Sequence, residues 1–241
     1  MLKTFRIGGV HPEANKLSAG KAIQNIEIPA EVSIPLAQHI GVPGKPIVKR
    51  GDKVKVGTLI GKSAGFVSAN IHSSVSGTVK KIDKVVDASG YRRDAVIIGV
   101  EGDEWEDSID RSETLIKECN LSQKEIIDKI ASAGIVGMGG AMFPTHVKLM
   151  PPPGTKAEVL IINGVECEPY LTSDHQLMME KTEEIIIGTT ILMKALNVSK
   201  AIIGIENNKK DAIDKFTQYA TSYAGISIQP LKERYPQGGE K

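Results

Sequence analysis

The segment with the most chemical potential is a glycine-rich loop near the middle of the chain. Residues 137–148 read GMGGAMFPTHVK, with three glycines within four positions. Because glycine has no Cβ, backbone N–H groups of such a loop can approach a ligand closely. A short helix starting at Pro144 or Thr145 would attract an anion to its N-terminus, with Lys148 about one turn further on. The loop is therefore either a cradle for a phosphate or a reduced ring, or a flexible surface loop with a solvated lysine.

A second polar segment follows a buried strand. Residues 163–170 read NGVECEPY and come directly after the apolar run at 159–162. In open parallel sheets, ligands bind at the carboxyl ends of the strands. Glu166 and Glu168 either orient a polar ring or a ribose there, or form a solvated acidic loop. Cys167 between them is either a reactive thiol or a small buried filler.

A third segment is predicted to lie at the same edge of the sheet. Residues 235–241 read YPQGGEK and follow a predicted strand at 226–231. Convergence of three such loops on one edge indicates a ligand site more strongly than any one loop does. The sequence stops inside this loop without a helix to follow it, which is typical of a truncated or proteolysed chain.

Several classes of function are excluded by composition. The chain has 30 Lys and Arg against 29 Asp and Glu and only 4% aromatic residues, which argues against a nucleic-acid binder. Its two cysteines form no CxxC motif and its five histidines are scattered, so we predict no metal site, disulfide or catalytic histidine. The apolar stretch at 185–196 is too short to cross a bilayer. We expect no direct membrane span, and any membrane association would go through a partner.

The pattern of elements changes along the chain. The first hundred residues contain short β-branched runs separated by glycines, which predict a small barrel or sandwich. An acidic stretch at 101–110 is predicted as a solvated linker, and a capping box of Ser122 and Glu125 begins a helix. Apolar strands then alternate with helical stretches, which predicts βαβ units and an open parallel sheet. These strands are expected at 159–162, 201–205 and 226–231, and the helices at 176–196 and 208–223.

The β-rich part resembles a known scaffold. The segments VKRGDKVKVGTLIG at 48–61 and SSVSGTV at 73–79 are similar to a biotinyl- or lipoyl-type barrel-sandwich hybrid. A carrier domain of that type needs a lysine at a hairpin tip, and the corresponding residues 63–70 contain none. We therefore predict a docking or structural module at 1–103, followed at 104–241 by an incomplete, Rossmann-like α/β domain with an open parallel sheet.

Taken together, the motifs resemble those of one family. FRIGGVHP at 5–12, IHSSVSG at 71–77 and the three loops are similar to the RnfC family of the Rnf electron-transport complex, an ion-translocating ferredoxin:NAD oxidoreductase. The loops also resemble G-R-G-G-x-G-F-P-x-x-x-K, N-x-D-E-x-E-P and Y-x-C-G-E-E-T, which surround FMN and NADH in the flavoprotein of respiratory complex I. The resemblance implies an FMN- and NADH-binding domain.

Site residues follow from this resemblance position by position. It places flavin contacts at Gly137, Gly139, Gly140, Lys148, Asn163, Glu166 and Gly238. It places contacts to the nicotinamide nucleotide at Ala141, Phe143, Glu168, Tyr235 and Glu240. No side chain is expected to act as an acid–base catalyst, because the cofactor supplies the chemistry. Four positions depart from the complex I motifs: Met138 for arginine, Met142 for glycine, Val165 for aspartate and Gly239 for glutamate. Loss of the aspartate and the glutamate removes polar contacts to the flavin ring and ribose, which predicts weaker or differently posed flavin binding.

The resemblance also implies a role for the whole protein. It would be a peripheral component at the cytoplasmic face of the bacterial inner membrane, transferring electrons between NAD(H) and ferredoxin through flavin and iron–sulfur clusters. Its partners would be the other Rnf subunits, and its β-grasp and [4Fe–4S] modules would lie beyond this sequence, so these 241 residues alone are not expected to complete the transfer. Two alternatives stay open: a corrin reductase of a bacterial microcompartment, and a non-catalytic docking protein with degenerate nucleotide loops.

Overall fold

The structure, a computed structural model, describes residues 2–4, 8–87 and 89–239. The chain divides into two units, each assembled from separate segments. The β unit comprises Ile26–Thr114 and Lys124–Pro151. The α/β unit comprises Met1–Asn25, Leu115–Gln123 and Pro152–Lys241. The N-terminal residues are therefore part of the α/β unit, although the predicted sequence domains assign them to the β-rich part. The predicted domain boundary at 103/104 stays a prediction.

Two antiparallel sheets make up the β unit. The first has the strand order β1-β7-β6-β3 and the second the order β2-β4-β5. A glycine is required where β6 begins, because a Cβ on Gly77 would lie 2.0 Å from the carbonyl oxygen of Gly99 on the paired strand. The strands are β1 (Glu31–Pro35), β2 (Lys45–Pro46), β3 (Lys53–Val54), β4 (Leu59–Lys62), β5 (Ile71–His72), β6 (Gly77–Val86) and β7 (Arg92–Val100).

One apolar core joins these two sheets. Val54, Val79 and Ile98 from the first sheet pack with Ile60 and Ile71 from the second, and all five side chains are buried. Burial of such β-branched side chains is the main force that holds a sandwich together. The predicted barrel-sandwich hybrid is confirmed, but β1 and β5 were not predicted.

The acidic stretch after β7 is mostly exposed, as its charge predicts, but its backbone is also paired with the β unit. The N–H of Val56 donates to the carbonyl of Glu104 at 2.8 Å, and the N–H of Glu106 donates to the carbonyl of Val56 at 3.0 Å. Backbone pairing of this kind ties the stretch to the β unit, which a count of charges does not reveal.

Two helices follow this stretch before the parallel sheet begins. The predicted helix is present as α1 (Gln123–Ser132), which buries Ile126 and Ile130. It ends before Gly134, whose φ is +68°, a left-handed conformation that suits a helix stop. A single-turn helix, α2 (Thr145–Lys148), comes after the glycine-rich loop, where the sequence predicts a short helix.

A three-stranded parallel sheet forms the centre of the α/β unit. Its order is β10-β9-β8, so all three strands end at the same edge, as the alternating pattern predicts. The central strand is fully apolar on both faces until its last residue, Glu206. The strands are β8 (Leu160–Gly164), β9 (Ala201–Glu206) and β10 (Ile226–Leu231).

Three helices pack on this sheet. Phe216 and Ile186 are fully buried against Ile203 and Ile205 of β9. The stretch predicted as one helix at 176–196 is two helices that meet at Lys181. The hydroxyl of Thr182 donates to the carbonyl of Met178 at 2.5 Å, a side-chain bond of the kind that bends helices. The helices are α3 (Ser173–Glu180), α4 (Thr182–Leu196) and α5 (Lys210–Ala220). Within the described part of the chain, no helix is both long and apolar enough to cross a membrane.

Candidate functional site

The carboxyl edge of the parallel sheet brings two of the predicted loops together. The amide nitrogen of Asn163, at the end of β8, donates to the carbonyl of Gly238 at 3.0 Å. The N–H of Gly238 in turn donates to Sγ of Cys167 at 3.3 Å. A Cβ on Gly238 would lie 3.0 Å from the carbonyl oxygen of Val165, so a larger residue would push the loops apart. The predicted meeting of loops 163–168 and 235–239 is therefore observed.

The second of these loops is held on its other side by the N-terminal segment. The backbones of Tyr235 and Val10 exchange two hydrogen bonds, at 2.9 and 3.0 Å. The hydroxyl of Thr4 donates to the side-chain oxygen of Gln237 at 2.8 Å. Tyr235 itself is 39% exposed. Glu240, the last predicted contact residue, lies outside the described residues.

The two glutamates of loop 163–168 differ sharply in their surroundings. Glu166 is only 2% exposed, and its Oε1 accepts the backbone N–H of Asp174 at the start of α3, at 2.7 Å. Its Oε2 is buried without a hydrogen-bond partner among the described residues, and it lies 4.0 Å from Nζ of Lys16. Glu168, by contrast, is exposed. The geometry makes Glu166 an internal anchor of the loop and leaves Glu168 facing solvent.

Burial also changes the proton affinity of two neighbouring groups. Desolvation raises the pKa of the Cys167 thiol, and the carboxylates of Glu168 and Glu206 add to this, whereas the N–H of Gly238 opposes it. Desolvation, reinforced by the charges of Glu166 and Glu168, likewise raises the pKa of Asp174, although its side chain keeps contact with solvent. A buried thiol that holds its proton is a weak nucleophile. Of the two readings of Cys167, the structure favours the buried filler.

Sequence reasoning missed a buried ion pair at the same edge. Nζ of Lys209 donates to Oε2 of Glu206 at 2.7 Å, and the two side chains are only 4% and 0% exposed. Oε1 of Glu206 has no hydrogen-bond partner among the described residues. The available signal was the run ENNK at 206–209, which begins with the last residue of the apolar strand β9. Lys16 was also missed, because nothing in its local sequence distinguishes it from a solvated lysine.

The glycine-rich loop belongs to the β unit. The N–H of Gly137 donates to the carbonyl of Phe143 at 2.9 Å, which closes the loop at its base. Lys148 ends α2, and a Cβ on Gly137 would lie 2.6 Å from its Nζ. Gly139 and Gly140 are exposed, and a Cβ on either would meet no atom within 4 Å. Their backbone is therefore open to a ligand.

Residues 138 and 141–143 of this loop are exposed or half-buried, whereas Pro144 is buried. Met142 has a φ of +50°, a left-handed conformation that favours glycine, and it occupies a position where the complex I motif has glycine. Gly140, Ala141 and Met142 line an open cavity of about 560 Å³, together with His39 and Arg93 among others. Phe143 is half-buried. The convergence of this loop with the two loops of the α/β unit stays a prediction.

Two family profiles match the chain. The RnfC barrel sandwich hybrid domain matches residues 3–103. The Nuo51 FMN-binding domain matches residues 130–241.

Within the described part of the chain, there is no group of three or more His, Cys, Asp or Glu side chains that could hold a metal ion.

Relatives that match over nearly the whole of this chain carry related names. The chain is 49% identical to the C component of the proton-translocating ferredoxin:NAD(+) oxidoreductase complex of Clostridium ljungdahlii, with 100% of this chain and 52% of the relative covered. It is 42% identical to the Na(+)-translocating counterpart of Acetobacterium woodii, with 99% of this chain and 53% of the relative covered. The chain thus spans about half the length of the curated relatives it matches.

Among solved structures, an NAD+-reducing [NiFe]-hydrogenase chain is similar to 49% of this chain. The match covers 22% of that chain, at 23% identity and a TM-score of 0.45. From the relatives and the two profiles, the chain belongs to the RnfC family of ion-translocating ferredoxin:NAD+ oxidoreductase complexes, and it contains that family's barrel-sandwich hybrid domain followed by an FMN-binding domain.

Proposed function

We propose that this chain binds FMN and NAD(H) and forms the nicotinamide-reactive part of an ion-translocating ferredoxin:NAD+ oxidoreductase. The observation that carries the proposal is the junction of Asn163, Cys167 and Gly238, which joins two of the predicted loops at the carboxyl edge of a parallel sheet. That edge is where open α/β folds bind nucleotides. Family membership and the FMN-binding profile over 130–241 support the same assignment.

The residues present fit the flavin. The open backbone at Gly139 and Gly140 lets N–H groups reach a phosphate or a ring edge without steric hindrance. Lys148 is exposed and carries a positive charge beside this backbone, which would hold the phosphate or stabilise negative charge on a reduced ring. Val165 is 9% exposed and apolar, so it supplies no polar contact where the complex I motif has aspartate.

The protein's own contribution would be position and electrostatics. Bound FMN supplies hydride exchange with the nicotinamide ring, and no protein acid or base is required. Asn163 holds the two loops together through its bond to Gly238, and the exposed Glu168 would bond to the hydroxyl groups of a ribose. Tyr235 offers a half-exposed ring against which a base or ring can stack. Holding two reacting groups in the right relative orientation lowers the barrier of such a reaction substantially.

The role of the full-length protein is part of the same proposal. Electrons would pass between NAD(H) and ferredoxin through [4Fe–4S] clusters that lie outside these residues. The other subunits of the complex would hold the protein at the cytoplasmic face of the membrane as a peripheral component. The barrel-sandwich domain would serve as a docking module, because residues 63–70 contain no lysine that could carry a swinging arm.

A second candidate is a docking protein whose nucleotide loops no longer bind flavin. The apolar, buried Val165 favours it, since one polar flavin contact of the complex I motif is lost there. The two candidates differ in a single measurable property, which is the affinity of the chain for FMN.

The test is a titration of the 241-residue chain with FMN, followed by flavin fluorescence, and then with NADH, followed by loss of oxidised-flavin absorbance. We expect Lys148→Ala to weaken FMN binding by about 10-fold, the value of one charge-assisted hydrogen bond. Glu168→Ala should leave FMN affinity unchanged and raise the NADH concentration that gives the half-maximal rate of bleaching by a similar factor. Lys156→Ala and Glu158→Ala are matched controls, because these exposed residues precede β8 at the opposite end of the strand.

The outcomes separate the candidates. Saturable FMN binding that weakens in Lys148→Ala but not in Lys156→Ala supports the proposal. Failure of the wild-type chain to bind FMN at any accessible concentration would favour the docking protein. Equal effects of Glu168→Ala and Glu158→Ala on NADH bleaching would contradict the role given to Glu168.

A further inference from the structure

We propose that Lys16 is a positioning residue that acts as an internal cation for the loop between β8 and α3. The inference deepens the proposed function, since this loop carries Asn163 and Glu168, but the contacts stand on their own. Nζ of Lys16 donates to three backbone carbonyls, those of Glu166, Glu168 and Leu171, at 3.1, 2.8 and 2.6 Å. A residue remote in sequence thus fixes three points of one loop.

The chemistry of the ammonium group matches this task. A lysine ammonium has three N–H donors and no acceptor, and here three carbonyl oxygens converge on it. Bonds from an ionised donor are about twice as strong as neutral ones. The side chain is only 19% exposed, so water competes weakly for these donors.

The same ammonium supplies charge to a buried carboxylate. Oε2 of Glu166 lies 4.0 Å from Nζ of Lys16 and has no hydrogen-bond partner among the described residues. A buried carboxylate is stable only with a counter-charge and hydrogen bonds. Oε1 is bonded to the first turn of α3 through the N–H of Asp174. Lys16 therefore links the loop to the start of α3 through Glu166.

Strain in the loop indicates that an outside element must hold it. Tyr170 has a φ of +70°, an uncommon conformation for a bulky residue that persists only where the surroundings enforce it. The N–H of Tyr170 donates to the carbonyl of Ala14 at 2.9 Å, two residues before Lys16. The hydroxyl groups of Ser18 and Thr172 lie 2.6 Å apart. The segment 14–18 thus acts as a strap, and Lys16 is its central contact.

The consequence for function is specific. Without the ammonium, the carbonyls of Glu166, Glu168 and Leu171 lose their common donor, and the exposed side chain of Glu168 loses a fixed position. The other end of the loop stays anchored, because Asn163 is bonded to Gly238. We therefore expect the loss of Lys16 to affect nicotinamide binding more than flavin binding. A uniform loss of stability would affect both alike.

The experiment compares two variants, Lys16→Met, which keeps the methylene stem, and Lys16→Ala, with the control Lys21→Met. Lys21 is an exposed lysine a few residues further along the N-terminal part of the chain. Hydrogen exchange of the amides at 166–172 is measured on the ligand-free chain, and binding of FMN and NADH is measured separately. We expect exchange at 166–172 to quicken by about 10- to 100-fold in both Lys16 variants and not in Lys21→Met. Ammonium ion should restore part of the protection in Lys16→Ala, whereas tetramethylammonium, which has no N–H donor, should not.

Each result decides a separate point. Unchanged exchange at 166–172 in Lys16→Met would overturn the proposal. Faster exchange throughout the α/β unit, with no recovery in ammonium, would also overturn it, because Lys16 would then be a general stability residue. If the wild-type chain binds no FMN, the proposed function fails while the exchange data still decide the role of Lys16. If Lys16→Ala does not fold, the comparison of Lys16→Met with Lys21→Met carries the test.

Discussion

Cys167 and the two glutamates beside it show that burial decides what a side chain can do. The sequence places ECE at the end of a strand, where either glutamate could face a ligand. In the structure, Glu166 is enclosed and bonded to α3, whereas Glu168 is exposed. Between them, burial raises the pKa of the Cys167 thiol and keeps it in its protonated state. Three adjacent residues therefore have three different roles: anchor, filler and candidate ligand contact.

The carboxyl group of Asp174 is predicted to destabilise the folded chain at neutral pH. Its pKa is raised by desolvation and by the charges of Glu166 and Glu168. A carboxyl whose pKa is higher in the folded state destabilises the fold when it is ionised, so the penalty is absent below the unfolded pKa of about 3.9, grows as the pH rises from there to the folded value, and stays constant above it. We expect Asp174→Asn to raise the free energy of unfolding at neutral pH by about 0.5 kcal/mol, a value reduced by solvent screening.

The measurement is denaturant unfolding of wild type and variant at neutral pH and near pH 3. The gain at neutral pH should vanish in acid, because both forms of residue 174 are then uncharged. Asp214→Asn, which removes an exposed carboxylate on α5, is the control and should show no such pattern. A variant less stable than wild type at neutral pH would contradict the argument.

At the level of elements, the end of β9 and the start of α5 depend on one buried charge pair. Glu206 ends the strand and Lys209 lies one residue before the helix, with their charged groups 2.7 Å apart. Ile205, which precedes Glu206, and Phe216 of α5 belong to one buried apolar cluster. The pair therefore fixes how the chain turns from the sheet into α5.

We expect Lys209→Met to destabilise the α/β unit by about 3–5 kcal/mol, because it leaves Glu206 buried without its counter-charge. The double variant Glu206→Gln with Lys209→Met should recover part of this loss, since no unpaired charge is then buried. Lys210→Met, at the exposed neighbouring position, is the control. Urea unfolding followed by hydrogen exchange of the α5 amides measures the effect, and equal stability of Lys209→Met and Lys210→Met would show that the pair contributes nothing.

Many of the helices and strands could be predicted because the signals for them lie within a few neighbouring residues. The span of β10 at 226–231 agrees with the predicted strand, and α1 follows its capping box and buries Ile126 and Ile130. The two-residue strands β2, β3 and β5 carry little periodic signal, and β5 was missed. The break between α3 and α4 was also missed, because a threonine at position 182 does not interrupt a helical pattern in the sequence. The bond from its hydroxyl to the carbonyl of Met178 is visible only in the structure.

For the whole molecule, the order of the segments along the sequence does not match which segments pair in space. The N-terminal residues precede the β unit in sequence but pair with the last loops of the α/β unit. The N–H of Lys232 donates to the carbonyl of Lys3 at 2.9 Å, and Val10 exchanges two backbone hydrogen bonds with Tyr235. The N–H of Ile23 donates to the side chain of Glu180 at 2.9 Å. The α/β unit is thus closed by a segment at the far end of the sequence.

A chain that lacks residues 1–25 tests this arrangement. We expect its α/β unit to lose about 2 kcal/mol or more of unfolding free energy, since several backbone hydrogen bonds of about 1 kcal/mol each are removed. Hydrogen exchange should quicken at 166–172 and 231–239. The buried amides of β7 are the internal control and should keep their protection. Uniform protection across both units in the shortened chain would show that the N-terminal segment is dispensable.

The sequence by itself determined the two fold types, the parallel strands and the position of polar loops at their carboxyl ends. These features follow from periodicity, glycine placement and strand–helix alternation, which act over a few residues. Only the tertiary structure decided which glutamate is buried, that Lys209 neutralises Glu206, and that Lys16 holds the loop 166–171 from 150 residues away. Such contacts depend on burial and charge compensation between distant segments, and no local pattern encodes them.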